Sequence, residues 1–471
     1  MQKPDKSIYE LVHILMQEIE DLKKEVTFLR IENAELKSRL NSNSHNSSRP
    51  PSSDGYKKKP SPSRALSKER KCKQGGQKGH KGDTLSQSST PDNIIKLIPE
   101  PCNCGHHFTS EECALSSKRQ VFELPKPKLE ITEYQIHKAT CPGCGKMHKG
   151  IAPEGVTAPV QYGNKAKAFA VLLNTNYKMP YNKIQLLYSD LFGYPINEST
   201  VYSAGKKCYT QLEKAEEAIK LKVTEANVAH ADESGLRVLG KLHWLHTATT
   251  LDYTYLFVHE KRGKLALDSE KSILDKITGW LVHDCWSSYF KFTGLKHAIC
   301  CAHILRELQG LIDSGESKWA KTFHYFLLDL YKQSYNDSIK EKDIIESRYL
   351  KICNIGEKSE PLPYNPPGKR GRPKKTKGRN LVERLIKEMD GVLAFAFNED
   401  VPFTNNLAER DIRPIKVKMK ISNCFRTMEG AEIYARIESF ISTARKNKQD
   451  IFEELVNTLN GYNFLVPVQT S

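Results

Sequence analysis

Apolar side chains recur with a period of seven from residue 8 to residue 40. Ile8, Leu15, Leu22, Leu29 and Leu36 fall at heptad position d, and Val12, Ile19, Val26, Asn33 and Leu40 fall at position a. Mostly β-branched residues at a with Leu at d predict a two-stranded parallel coiled coil, and the single Asn at a fixes its register. Glu18, Glu25 and Glu32 at g face Lys23, Arg30 and Lys37 at e of the next heptad, so each carboxylate meets a cation on a partner helix. An amphipathic helix folded onto its own chain is the alternative; the charge pattern favours a homodimer. After Leu40 the period stops. Residues 41–67 are rich in Ser, Asn, Pro and Lys, a composition that buries no core and predicts a flexible linker.

Helical periodicity returns over residues 164–220, broken at Met179-Pro180 and again near Phe192-Gly193-Tyr194-Pro195. The second break lies between a helix over Asn182–Leu191 and one capped by Asn197 or Ser199. That spacing resembles a helix-turn-helix, with Tyr202, Lys206 and Lys207 projecting from the second helix; a purely structural helical hairpin fits equally well. From Asn227 the pattern changes to strands. The first ends at or near Asp232, followed by His243–Thr249 and Tyr253–His259, then a helix over Asp268–Thr278. Gly279–His283 is a short apolar run expected of a strand covered on both faces, with Asp284 at its C-terminal edge. Lys296–Cys300 is a fifth strand, leading into a helix with His303, Arg306 and Glu307. This order predicts an RNase H-like sheet.

Charge narrows the partners. The chain has 471 residues, 72 Lys plus Arg against 56 Asp plus Glu, and a net charge of +16. The excess is concentrated: residues 57–81 hold ten cations and one acid, and residues 369–379 hold seven cations and none. Local basic blocks point to phosphate contacts and double-stranded DNA. Lys78, His80 and Lys81 sit among glycines that let the backbone approach a groove closely; a solvated tether is the alternative. Lys369-Arg370-Gly371-Arg372-Pro373 has the form of a minor-groove hook, with Arg370 and Arg372 as its reading residues. No apolar stretch approaches the ~20 residues that cross a bilayer, and the N-terminus has no signal-peptide layout, so a cytoplasmic, nucleoid-associated protein without membrane contact is expected. Its twelve cysteines then suggest metal ligation or burial before disulfides. Cys102-Asn-Cys104 and Cys141-Pro-Gly-Cys144 are two short pairs that can hold structural Zn²⁺, with Gly105 and Gly145 easing the turns. His106, His107, Cys113 and His148 are substitute ligands. Cys300, Cys301 and His303 are read as core thiols beside a helix rather than as another metal site.

A third acid, Glu409, shares a helical face with Asn405 and Arg413, ahead of Pro414, which must kink or restart that helix. Arg410, Arg413 and Lys416 are the cations beside it. Asp232, Asp284 and Glu409 are spaced by 52 and 125 positions, on a strand, a strand and a helix. Three converging carboxylates suit Mg²⁺ or Mn²⁺, and two such ions ~4 Å apart activate the attacking oxygen and stabilise the leaving oxygen of an in-line phosphoryl displacement. With water as nucleophile the site nicks DNA; with a DNA 3′-hydroxyl it joins strands.

Four blocks carry a resemblance: Asp232-Glu233-Ser234, His283-Asp284-Cys285-Trp286, Cys301-Ala302-His303-Ile304-Leu305-Arg306, and Asn406–Pro414. They resemble the insertion-sequence-66 family of bacterial transposases, as does the order of zipper, Gly-Gly-Gln-Lys-Gly-His-Lys-Gly segment, cysteine knuckle and catalytic domain. Ser234 stands where the family commonly has Thr, and Cys285-Trp286 where Gly-Tyr is common. The resemblance implies Asp232, Asp284 and Glu409 as the metal-binding triad, binding to the terminal inverted repeats of a mobile element, and help from small accessory proteins. The expected fold is a multidomain α/β protein. Its parts are a coiled coil over 7–41, a basic linker over 42–95, a zinc-knuckle module over 96–155, a helical DNA-binding segment over 160–222, and an RNase H-like catalytic core over 225–445 with a helical insertion about 303–400. A C-terminal segment, 446–471, completes it. A dimeric DNA-binding regulator without catalysis, or a nuclease of the same fold that cuts without joining, fits parts of the same pattern.

Overall fold

The long central strand of the molecule owes its length to an unusual turn. β3 (Val228–Val238) runs eleven residues and returns as β4 (Lys241–Thr249) through Leu239 and Gly240, both at positive φ, 50° and 76°. Two left-handed residues make the tight hairpin loop whose twist suits antiparallel strands. Asp232 therefore lies inside β3, five residues from its start, and not at the end of a short strand. β5 (Thr254–His259), β6 (Trp280–His283) and β7 (Lys296–Ile299) complete a five-stranded sheet of order β5-β4-β3-β6-β7. The β3–β4 and β4–β5 pairs are antiparallel, and β3–β6 and β6–β7 are parallel. The result is a mixed α/β domain with the strand order expected of an RNase H-like core.

The computed structural model describes residues 6–43, 46–47, 85–315, 317–335, 341–363, 370–372 and 375–467. In chain order its helices are α1 (Lys6–Asn41), α2 (Asn164–Thr175), α3 (Tyr181–Phe192), α4 (Glu198–Gln211), α5 (Glu213–Thr224), the single-turn α6 (Lys264–Leu267), α7 (Cys301–Gly315), α8 (Lys318–Tyr335), α9 (Lys342–Ser359), α10 (Lys377–Lys387), α11 (Met389–Phe397), α12 (Asn406–Ser422), α13 (Met428–Lys446) and α14 (Ile451–Leu459). A small hairpin, β1 (Lys138–Thr140) with β2 (Met147–Lys149), stands apart from the main sheet. No helix among the described residues is long and apolar enough to cross a membrane.

Two expectations are corrected. Residues 268–278 do not form one helix: α6 ends at Leu267 and a short 3-10 turn spans Leu274–Lys276. Ser269 donates its hydroxyl to the carbonyl of Ala266, and the Ser272 amide turns back to Ser269, local bonds that compete with helix propagation. Of the kink or restart expected at Pro414, the restart does not occur, since α12 runs through it to Ser422. Ile412 and Ile415, both essentially solvent-free, anchor the turns on either side, and this packing outweighs one missing backbone bond.

Helices close both edges of the sheet, which would otherwise expose unpaired backbone groups. On the β5 side, Ser439 and Thr443 of α13 accept the amides of Leu256 and Thr254 at 2.9 and 3.0 Å. On the β7 side, α11 approaches so closely that a Cβ at Gly391 would lie 3.0 Å from the carbonyl of His297. The helices of residues 164–224 are not separate from this body. Ala168, Leu172, Ala204 and Cys208 share one apolar core with Ile437, Phe440, Leu455 and Leu459 of α13 and α14. Between β7 and α12, helices α7 to α11 build a second core on Phe323, Leu327, Tyr349 and Leu385, which reaches the sheet at Val282 and Ile299. The C-terminal end of α1 is tied to α7: Asn41 and Asn46 donate to the carbonyl and carboxylate of Asp313 at 3.4 and 2.9 Å.

Candidate active site

The parallel register puts two of the three acids on or just beyond neighbouring strands. Val228, Ala229 and His230 of β3 pair with Trp280, Leu281 and Val282 of β6. Carried two residues further, that register sets Asp232 beside Asp284, on the same face because side chains alternate along a strand. β6 ends there as Asp284 Oδ1 accepts the amide of Trp286 at 3.0 Å, an Asp turn that lifts the chain out of the sheet. Glu409 arrives from the first turn of α12. The residue that aims it is Asn405: its Nδ2 donates to the carbonyl of Ala231 at 2.8 Å, its Oδ1 lies 2.9 Å from His230 Nδ1, and its amide donates to Cys300 Sγ at 3.1 Å. One buried side chain thus pins the start of α12 to β3 immediately before Asp232.

The three acids act on one another through their charges. Burial pushes the carboxyl of Asp232 up to about 7, and the charges of Glu233, Asp284 and Glu409 push the same way. Neighbouring acids are treated differently. Glu233, on the other face of β3, is held by Arg262 (Nε 2.8 Å) and by the hydroxyl of Tyr289 (2.5 Å). Asp411 is held by Lys446 at 2.5 Å and by the hydroxyls of Thr249 and Thr254 at 2.6 and 3.1 Å. Among the described residues no Lys or Arg nitrogen lies within 4.0 Å of the carboxylates of Asp232, Asp284 or Glu409. The nearest basic group is His303, whose Nε2 is 3.9 Å from Glu409 Oε1. Burial and then the charge of Arg306 hold its imidazole below the ordinary range, toward the neutral form. Glu409 Oε1 is itself buried with no hydrogen-bond partner. Among the described residues the donor atoms of these three carboxylates do not all lie within 4.8 Å of one another, and the group that does is Cys300, His303 and Glu409; oxygen donors are nevertheless the type that suits Mg²⁺ or Mn²⁺.

Beside this cluster the guanidinium of Arg262 lies between two indoles, 4.9 Å from the ring of Trp244 and 4.4 Å from that of Trp286. Stacking and the Glu233 bond together fix the loop after β5 against the turn after β6.

A sequence profile described as the IS66 family of transposases matches residues 159–433, the span from just before α2 into α13 that contains all three acids. The chain belongs to the IS66 transposase family. A second profile, a family of unknown function termed DUF6444, matches residues 1–86. No curated protein matches the chain.

In this IS66-family chain the expected DNA-contacting cations divide into three groups. Arg410, Arg413 and Lys416 are exposed on α12 with Lys420, a cationic stripe that starts one residue after Glu409. Lys207 is exposed on α4, whereas Lys206 pairs with Glu429 of α13 at 2.7 Å and Tyr202 donates to the same carboxylate at 2.5 Å. Arg370 and Arg372 are exposed; Lys78, His80 and Lys81 lie outside the described residues. Cap assignment settles on Asn197, whose side chain accepts the amide of Ser199 at 2.9 Å.

The cysteine pairs form matching turns. Gly105 and Gly145, at φ of 89° and 71°, donate to the carbonyls of Cys102 and Cys141 at 2.8 and 2.9 Å. The amide bonds within each turn lower the thiols of Cys104 and Cys141, as a metal-binding thiolate needs. The two turns are not drawn together: among the described residues, the group of three or more potential ligands whose donor atoms all lie within 4.8 Å is Cys300, His303 and Glu409.

Sequence reasoning missed Asn405 as an anchor, the Glu233–Arg262–Tyr289 link and the Asp411–Lys446 pair. Each joins residues at least 29 positions apart, so no local spacing announces it.

Proposed function

We propose that this chain is a DNA transposase that binds the terminal inverted repeats of a mobile element, cleaves DNA there and joins the freed 3′-hydroxyl to target DNA. Asp232, Asp284 and Glu409 are its metal-binding carboxylates. The observation that carries this reading is the contrast among neighbouring acids: Glu233 and Asp411 are paired with Arg262 and Lys446, whereas among the described residues no Lys or Arg nitrogen lies within 4.0 Å of these three. These residues would hold Mg²⁺, which when bound would supply the positive charge that in-line phosphoryl displacement needs at its attacking and leaving oxygens. Asp232 and Asp284 contribute oxygens from a rigid sheet. Glu409 contributes one from a helix fixed to that sheet through Asn405. The exposed stripe Arg410, Arg413, Lys416 and Lys420 holds the phosphate backbone beside the cluster, and Lys207 and the Arg370–Arg372 segment extend the same basic surface. Cys102, Cys104, Cys141 and Cys144 are proposed as the ligands of a structural Zn²⁺ in a DNA-facing module; zinc content per chain that is unchanged when they are replaced by Ser contradicts this.

A duplex carrying a pre-cut transposon end with a free 3′-hydroxyl, incubated with the full-length protein, Mg²⁺ and target DNA, is expected to become covalently joined to the target. Cleavage without joining favours a nuclease of the same fold. DNA binding with neither step favours a non-catalytic regulator.

The working unit is proposed to be a dimer through α1. Its seam residues Val12, Leu15, Ile19, Leu22, Val26, Leu29 and Leu36 are 45–58% exposed in the single chain, an apolar stripe suited to a second copy. Leu22→Lys is expected to shift the molar mass measured by light scattering from dimer to monomer; an unchanged dimer contradicts the zipper.

A further inference from the structure

Glu409 belongs to two clusters with different chemistry. Toward the sheet its charge acts on the carboxyl of Asp232. Toward α7 it faces a sulfur and a nitrogen: the Cys300 thiol, the His303 imidazole and the Glu409 carboxylate have donor atoms all within 4.8 Å of one another. Two of these groups carry buried atoms without a partner, His303 Nδ1 and Glu409 Oε1. Buried polar atoms are almost always satisfied, so two orphans in one cluster point to a missing ligand. Cys300 is fully buried at the junction of β7 and α7. The backbone amide of Asn405 donates to its Sγ at 3.1 Å, so the fold already directs a positive dipole at the sulfur. A thiolate, an imidazole and one carboxylate are the donors of a borderline-soft ion such as Zn²⁺, with one position left open, whereas Mg²⁺ takes oxygen alone. Tetrahedral Zn²⁺, with bonds of about 2.0–2.3 Å, sets its donors roughly 3.5 Å apart, so side chains already within 4.8 Å of one another need to close by about 1 Å.

We propose that Cys300, His303 and Glu409 form a binding site for a soft divalent cation of the zinc class, and that an ion bound there withdraws Glu409 from Asp232 and Asp284. Binding replaces the proton of the Cys300 thiol with the metal and releases that proton to solvent. The site has a second consequence, which rests on the proposed function: zinc is a brake on Mg²⁺-dependent strand cleavage, acting by competition for one shared carboxylate and not by displacement of ions from all three.

The test uses the full-length chain, stripped of metal by a chelator and re-equilibrated with Zn²⁺ alone. The parent is expected to retain one more zinc per chain than either Cys300→Ser or His303→Gln, with the Cys102, Cys104, Cys141 and Cys144 contribution common to all three. Two separate substitutions keep the comparison open if one variant fails to fold. Equal zinc content in the parent and in either folded variant overturns the site. In a cleavage assay at fixed Mg²⁺, added Zn²⁺ is expected to slow the parent by about 10-fold or more, the scale on which ligand loss changes metal affinity, and to leave Cys300→Ser little changed. Equal inhibition of the two overturns the withdrawal of Glu409. Zinc retention that depends on Cys300, in a parent with no Mg²⁺-dependent cleavage, upholds the site and overturns the transposase reading. Cleavage that proceeds without any Cys300-dependent zinc does the reverse.

Discussion

Glu409→Gln is expected to abolish Mg²⁺-dependent cleavage of transposon ends, by about 10³-fold or more, while DNA binding stays near the parent level. Gln keeps the size and the hydrogen-bonding reach of Glu and removes only its charge. The helix should not move, because Asn405 still docks α12 on β3 and Asp411 still pairs with Lys446. The DNA-facing stripe of Arg410, Arg413 and Lys416 is untouched. The sign of the stability change is a further check. Glu409 is one of the like charges that push the Asp232 carboxyl upward, so its neutralisation relieves repulsion in the unliganded protein. The melting temperature of the metal-free variant is therefore expected to equal or exceed that of the parent. Cleavage assays, filter binding and thermal melts on one preparation test all three statements. A variant that melts early and binds DNA poorly would mean that Glu409 is structural.

Asp411→Ala is expected to do the opposite: destabilise first, and lose activity as a consequence. The Asp411 carboxylate is buried and accepts from Thr249, Thr254 and Lys446, which lie on β4, β5 and α13. Its removal leaves the Lys446 ammonium, 11% exposed, without its ion-pair partner. Breaking a buried pair in this way costs about 3–5 kcal/mol, read as a lower melting temperature and a lower denaturant midpoint. Because the same helix carries Glu409 two residues earlier, the folded fraction should also cleave more slowly. The double variant Asp411→Ala with Lys446→Met removes the stranded charge and should recover a large part of the lost stability. If the single and double variants are equally unstable, the pair is not what ties α12 to the sheet.

The two predictions separate what the sequence made legible from what it hid. Asp284 was readable because an apolar run, Trp280–His283, ends at an acid, and β6 is that run. The helix that carries Glu409 was readable from its neighbourhood. Asp232 was placed on the right strand with that strand wrongly ended. The hairpin that prolongs β3 turns on Leu239-Gly240, and a leucine at φ 50° carries none of the Asn-Gly or Asp-Gly signal that marks such turns. At Pro414 the helix continues without a restart, with Ile412 and Ile415 buried on either side. The cysteine turns follow from spacing and glycine, but whether four thiols converge depends on packing between segments that no spacing encodes. His303 and Cys300 looked like core residues beside a helix. Their relation to Glu409 appears only when α7 and α12 are set side by side by Asn405, 105 positions beyond Cys300.

The central claim is that carboxylates from β3, from the end of β6 and from α12 hold the same divalent ions. Iron-directed backbone cleavage tests it without relying on activity: Fe²⁺ replaces Mg²⁺ in the full-length protein, ascorbate and peroxide are added, and the cut sites are mapped by mass spectrometry. The account predicts cuts beside Asp232, Asp284 and Glu409 together, all suppressed by excess Mg²⁺. Cuts beside only one of the three, or cuts that Mg²⁺ does not suppress, would contradict it.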